Sequence, residues 1–93
     1  MTEKQIESKL VNAVKNEGGL CLKFVSPSMD GIPDRIVLLP NGRIAFVETK
    51  RKGEKMRPLQ NLRKRQFTKL GFKVYCLDDE KEIERLINEI QSL

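Results

Sequence analysis

Asp34, Glu48 and Lys50 are the residues whose types and spacing could do chemistry. They stand at the two ends of residues 31–50, GIPDRIVLLPNGRIAFVETK. That stretch reads as a β-hairpin: RIVLL, a turn at PNG, then RIAFVETK. Residues i, i+2 and i+4 of a strand share a face, so Ile44, Phe46, Glu48 and Lys50 line up together, as do Asp34, Ile36 and Leu38 on the neighbouring strand. One face is thus apolar near the turn and charged at the open end. Two carboxylates set against a core are costly unless something compensates them. A divalent cation is the simplest compensator, and two carboxylates, a metal and a lysine are what phosphodiester hydrolysis needs. The metal polarises a phosphoryl oxygen and acidifies a water. The lysine orients that water and offsets charge in the transition state. Spacing alone leaves a blander alternative open, a weakly stabilising surface ion pair between Glu48 and Lys50.

The turn decides whether the two carboxylates meet. A two-residue Asn41-Gly42 turn would set Asp34 against Thr49 and turn Glu48 to the other face. A three-residue Pro40-Asn41-Gly42 loop pairs Leu39 with Arg43, and counting back sets Asp34 against Glu48. Pro40 suits the first central position of a type I turn, and Gly42 suits the left-handed bulge position after it. The longer loop is therefore expected, with Gly42 at positive φ.

Around the hairpin the chain predicts an α-β-β-β-α-β-α order, an α/β class with a mixed four-stranded sheet flanked by helices. Thr2 and Gln5 fit a capping box for a helix over residues 3–17, closed by Gly18-Gly19. Its apolar arc is Ala13, Ile6, Leu10, Val14 and Val11, with Glu7 among them. LCLKFV, residues 20–25, is the first strand. Pro58 opens a second helix that runs to about Leu70, with Leu59, Leu62, Gln66 or Phe67, and Leu70 as its expected buried face. FKVYCL is the fourth strand, parallel to the third across that helix. Asp79 and Glu82 cap a last helix whose apolar residues are Ile83, Leu86, Ile87 and Ile90.

Composition narrows the chemistry further. Ninety-three residues make one domain, residues 1–93, with 39% hydrophobic and 33% charged side chains. There is no histidine, which removes Ser-His-Asp and Cys-His catalysis and leaves oxygen ligands for any metal, hence Mg²⁺ or Mn²⁺. Cys21 and Cys76 lack zinc or disulfide spacing and are expected to be buried thiols. No apolar run reaches the roughly 20 residues of a membrane span, and MTEKQIESK lacks the apolar segment of a signal peptide. The expected setting is cytoplasmic, with no membrane partner and no small-molecule cofactor. The net charge of +5 is unevenly placed. Residues 49–69 hold nine basic side chains against Glu54 alone, the footprint of a polyanion such as DNA. Taken alone, that patch is equally a solvated helix face.

IPD followed by ETK resembles the PD-(D/E)xK nuclease signature, and the element order is similar to the restriction-endonuclease-like core of that superfamily. More narrowly, Glu7, GIPD, VETK and PLQNLRKRQFTKLGFKVY resemble the VRR-NUC family, the virus-type replication-repair nucleases. The resemblance covers nearly the whole chain. It implies that Asp34 and Glu48 bind metal with the Thr49 carbonyl, that Lys50 is catalytic, that Glu7 joins the acidic cluster, and that Gln60 positions the water or the lysine. Arg51, Lys52, Lys55, Arg57, Arg63, Lys64 and Arg65, with Lys50, would meet nucleic acid. It further implies a DNA endonuclease selective for branched structures such as flaps or four-way (Holliday) junctions. Such an enzyme would act as a homodimer in repair or replication, and could be encoded by a phage. The alternatives are a non-catalytic nucleic-acid-binding module or a subunit of a replication or repair complex.

Overall fold

Thr2 and Gln5 close a reciprocal cap on the first helix, α1 (Glu3–Asn16), in the computed structural model, which describes all 93 residues. Thr2 Oγ1 accepts from the Gln5 amide at 3.2 Å, and Gln5 Oε1 accepts from the Thr2 amide at 2.9 Å. The chain then forms β1 (Leu20–Lys23), β2 (Arg35–Leu39), β3 (Arg43–Thr49), α2 (Pro58–Lys69) and β4 (Val74–Leu77). A 3-10 turn at Glu80–Glu82 leads into α3 (Ile83–Gln91). This is the expected order. The strands make one sheet, β1-β2-β3-β4, with β1, β2 and β3 antiparallel and β3–β4 parallel. No helix is long and apolar enough to cross a membrane.

The sheet has two unequal faces. On one, Val37, Ala45, Val47 and Leu77 meet Ile6, Leu10 and Val14 of α1 and Ile83, Leu86, Ile87 and Ile90 of α3, all buried. Removing such side chains from water contributes on the order of 2 kcal/mol each, so this face supplies the core. The other face carries α2 and an aromatic cluster. Phe46 lies 4.9 Å from Phe67, 5.3 Å from Phe24 and 5.7 Å from Phe72, centroid to centroid, the edge-to-face and tilted spacings that such rings favour.

Four expectations need correction. The buried face of α2 is not its leucine stripe: Leu59, Leu62 and Leu70 are exposed, Leu70 by 76%, and Gln60 is the buried residue of the helix, with Phe67 half-buried seven residues on. The helix is turned so that 60, 63–64 and 67 face the sheet, because Gln60 is engaged there, as described below. The first strand ends at Lys23, although the Phe24 amide still donates to the Asp34 carbonyl at 2.8 Å, before the Ser26-Pro27 bend. Cys21 is buried, but Cys76 is exposed. It lies on β4, an edge strand, on the face where α2 presents Asn61 and Lys64 rather than apolar cover. The turn has the expected length, since Leu39 pairs with Arg43, and Gly42 has φ +71°. Asn41 also sits at φ +68°, which excludes a type I turn, whose second central residue has negative φ. Asparagine tolerates that conformation better than most side chains.

Gly31 opens the loop that delivers Asp34. Its φ is +80°, and a Cβ there would fall 2.6 Å from Leu59 Cγ. Gly31→Ala is therefore expected to lower unfolding free energy by about 2 kcal/mol in urea titrations, from backbone strain and the clash together. In the Gly31→Ala/Leu59→Ala double variant the loss should be less than the sum of the two single losses. Strict additivity would show that the approach of Leu59 is not what excludes a side chain at position 31.

Candidate active site

The β2–β3 register sets the site. Arg35 faces Val47 and Ile36 faces Phe46, so one step further places Asp34 opposite Glu48 on the α2 side of the sheet. The expected juxtaposition is observed. Asp34 Oδ2 accepts two hydrogen bonds from Thr49, from the amide and from Oγ1, each 3.1 Å. Charge-assisted pairs of this kind hold a carboxylate in one orientation.

Glu48 is 2% exposed. Its Oε2 accepts from Gln60 Nε2 at 2.9 Å and lies 3.5 Å from Lys50 Nζ. Its Oε1 is buried with no hydrogen-bond partner. The Gln60 side chain can be oriented only one way, because its Oε1 accepts from the Arg57 amide at 2.9 Å, leaving the NH₂ group to face Glu48. That bond also satisfies a free donor at the start of α2, where Pro58 lacks an amide hydrogen of its own. Gln60 thus ties the helix start to the carboxylate. Lys50 is 6% exposed, and its amide donates to the Leu77 carbonyl at 2.8 Å. A lysine so buried beside a carboxylate is not a solvated surface pair.

Asp34, Glu48, Lys50 and Gln60 line one cavity of about 300 Å³ whose lining contains no apolar residue. Lys55, Arg57, Glu3 and Glu54 complete it. The largest cavity, about 640 Å³ between β4 and α3, lies elsewhere and is lined by none of these groups. The place expected of Glu7 is corrected. It does not line the cavity, and its Oε2 lies 3.2 Å from Arg35 Nε, close in distance though not aligned for a hydrogen bond. Arg35 projects to the α1 side of the sheet, so Glu7 is held there. Glu3, one turn earlier, reaches the open end of the hairpin instead. Glu3 and Glu54 were not legible as site residues. Helical spacing would have admitted Glu3, since it shares a helical face with Glu7, but nothing in the residue pattern singles out Glu54.

The basic residues divide by engagement. Lys55 and Arg57 are at the cavity. Arg51 lies 3.8 Å from Glu54, and Lys52 lies 3.8 Å from Asp79. Arg63 is used internally, donating from Nε to the Asp30 carbonyl at 2.8 Å and from Nη1 to Gln66 Oε1 at 3.0 Å. Lys64 and Arg65 make no ion pair and lie further along α2.

Burial pushes the Glu48 carboxyl up to about 7, with Asp34 adding to the rise and Lys50 opposing it. Burial also raises Glu3, reinforced by Asp34 and Glu54. This is the signature of carboxylates short of positive charge. No three carboxylate, thiol or imidazole groups converge into a closed metal cage. A hard cation that keeps most of its waters needs only one or two carboxylates. The unpartnered Oε1 of Glu48, beside an oriented Asp34, fits such an ion, and an all-oxygen donor set selects Mg²⁺ or Mn²⁺.

No family model matches the sequence. Two relatives do. A solved structure described as a VRR_NUC domain superposes with a TM-score of 0.86 at 30% identity, covering 95% of this chain and 97% of that one. A protein named "Putative nuclease p44", from Acyrthosiphon pisum secondary endosymbiont phage 1, is 47% identical over 78 residues, 84% of this chain and 84% of that protein.

Glu48 makes the metal-free protein pH-sensitive. Folded, it keeps its proton to about pH 7, whereas an unfolded glutamate releases it near its ordinary value of 4.5. Between those values the folded state binds more protons, so this group's contribution to stability falls as pH rises through the window. Chemical denaturation in chelator should show that fall, and Glu48→Gln should flatten it. An unchanged pH slope in Glu48→Gln would refute the assignment of the raised pKa to this residue.

Proposed function

The chain belongs to the VRR_NUC family of nucleases, and from that premise we propose that residues 1–93 form one endonuclease module that hydrolyses DNA phosphodiester bonds with Mg²⁺ or Mn²⁺. The observation that carries this reading is the buried carboxylate of Glu48. One of its oxygens is bound by Gln60 and Lys50, and the other is left without a partner beside Asp34.

Asp34 and Glu48, with the Thr49 carbonyl, would hold the cation. When bound, it would supply Lewis acidity towards the phosphoryl oxygen and a lowered water pKa. Thr49 fixes Oδ2 of Asp34 and leaves Oδ1 for the site. Gln60 fixes Oε2 of Glu48 and so presents Oε1. Lys50 keeps an ammonium at the cavity, where the phosphate oxygens gain charge in the transition state. Glu3 stands in for the Glu7 of the sequence reading as the carboxylate that α1 contributes. Lys55, Arg57, Lys64 and Arg65 contact phosphates, with Arg51 and Lys52 able to exchange their carboxylate partners for DNA. No separate recognition domain lies within these residues, so phosphate contacts dominate and DNA shape, a flap or four-way junction, is selected rather than sequence.

Labelled duplex, flap, single-strand and four-way-junction DNA, each with Mg²⁺ or Mn²⁺, test the reading. Lys50→Ala should lower the cleavage rate by about 10²–10³-fold with little change in calorimetric Mn²⁺ affinity. Glu48→Gln should lose both cleavage and affinity. DNA binding with no cleavage in any arm would favour a non-catalytic binding module instead.

One such site cuts one strand, so symmetric cleavage of a junction calls for two sites, and a two-fold homodimer is the economical arrangement. Met29 and Met56, apolar residues in otherwise polar loops beside the site, are the interface candidates that the sequence offers; Met29 is exposed on its loop, but Met56 is half-buried. A larger apolar area lies on the α2 side of the sheet, where Leu20 is 58% exposed and Leu70 and Phe72 border it. Light scattering at micromolar concentration is expected to give twice 10.7 kDa. A monomer with full junction-cleaving activity would remove the dimer.

A further inference from the structure

The catalytic cavity does not end at Lys55. Glu54 and Lys55 also line a second depression of about 440 Å³, which continues past Asn61 and Lys64 to Cys76 and Asp78 on β4. The two depressions therefore adjoin at Glu54 and Lys55 and mark an open surface channel that runs from the site towards the free edge of the sheet. The strand register gives the same direction, since Glu48 sits beside Cys76 in the β3–β4 pair. So does α2, where Gln60 touches Glu48 and Lys64 follows one turn later, about 5.4 Å along the helix.

The charges along this channel are not equivalent. The two acids of the outer depression are already engaged: Asp78 accepts from the Gly53 amide at 3.2 Å, and Glu54 lies 3.8 Å from Arg51. Lys55 and Lys64 have no carboxylate partner. Asn61 uses its side-chain amide on the Met56 carbonyl at 3.3 Å, so it is a neutral wall. The channel is thus shallow, mostly polar and open at the edge strand, and it carries two ammonium groups with no carboxylate partner.

We propose that this channel takes the nucleic-acid strand flanking the scissile phosphate and leads it across β4 past Cys76, with Lys55 and Lys64 on successive phosphates. The inference rests on the nuclease reading above and adds the strand path. One helical turn separates Gln60 from Lys64, and a strand rises about 3.4 Å per nucleotide, so Lys64 meets a phosphate one to two nucleotides from the reacting one. The exposed basic residue Arg65 points away from this row and is not part of it.

Cys76 reports on the channel directly. Cys21 is buried, so Cys76 is the thiol open to an alkylating reagent. Its pKa is raised by burial and by Asp78, so the reaction is timed in alkaline buffer, where enough thiolate forms. Iodoacetamide labelling of the full chain is followed by mass spectrometry, with and without saturating four-way-junction DNA. Calcium replaces magnesium so that the strand is held uncut. DNA should slow labelling of Cys76 about 10-fold or more. In Lys55→Ala/Lys64→Ala the protection should weaken, and the salt slope of binding should fall by about two. If the junction binds by anisotropy and is cut in Mn²⁺ while Cys76 labels at its free rate, the strand runs elsewhere and the inference is overturned with the nuclease reading intact. If neither the junction nor duplex, flap or single-strand DNA is bound or cut, the nuclease reading fails and takes the strand path with it.

Discussion

The rest of this structure is arranged around one unfavourable interaction, a glutamate carboxylate buried beside an aspartate. Glu48 is 2% exposed and faces Asp34 across the hairpin. Two anions so placed cannot both be charged without compensation, and burial raises the penalty. The compensation comes from three directions. Gln60 reaches down from α2, Lys50 folds back from the end of β3, and Thr49 holds the aspartate with its amide and hydroxyl. Gln60 comes from α2 and the other two groups from the end of β3, so helix and strand must both be in place before the carboxylates are tolerable together.

That demand explains why α2 is oriented against its own apolar pattern. Hydrophobic burial would turn Leu59, Leu62 and Leu70 inward. Instead the helix turns Gln60 inward and leaves the leucines at the surface. The loss is offset in part by Phe67, which falls on the same face as Gln60 and joins the ring cluster with Phe46. Gly31 belongs to the same compromise. Leu59, displaced to the flank of the helix, rests where a side chain at position 31 would stand. The chain gives up apolar burial on this face because the opposite face, with α1 and α3, supplies the core.

These conflicts also mark where sequence reasoning holds and where it fails. The hairpin register was legible, because Pro40 and Gly42 constrain the loop length and the side-chain period of two does the rest. The four strands and three helices were legible from caps and periodicity, which act locally. Asn41 at positive φ was not, since two loops of equal length differ only in one residue's backbone. Glu7 was misplaced because a helix position gives an angle, not a depth along the sheet. Its partner Arg35 lies on β2, beyond any single-helix argument. The exposure of Cys76 depends on which α2 residues stand over β4, and so inherits the misread face of that helix. The pairing of Asp34 with Glu48 was legible from the register. The unpartnered oxygen that singles it out exists only in three dimensions.

The unpartnered oxygen of Glu48 is open to a proton or to a cation. A buried acceptor without a donor costs about 1–3 kcal/mol, more when it is charged. Protonation relieves it below about pH 7, and a cation relieves it above. The two remedies exclude each other, because a proton on Glu48 removes the charge that would hold the cation. With the proposed cation, the same residue would couple folding, proton binding and metal binding, and with opposite sign: acid would stabilise the empty fold and compete with the ion. A site so built is least stable in the ionised, empty form, and that is the form with most to gain from a cation. On the proposed reading, affinity for metal and the loss of stability of the empty fold towards neutral pH would be two measures of one buried carboxylate.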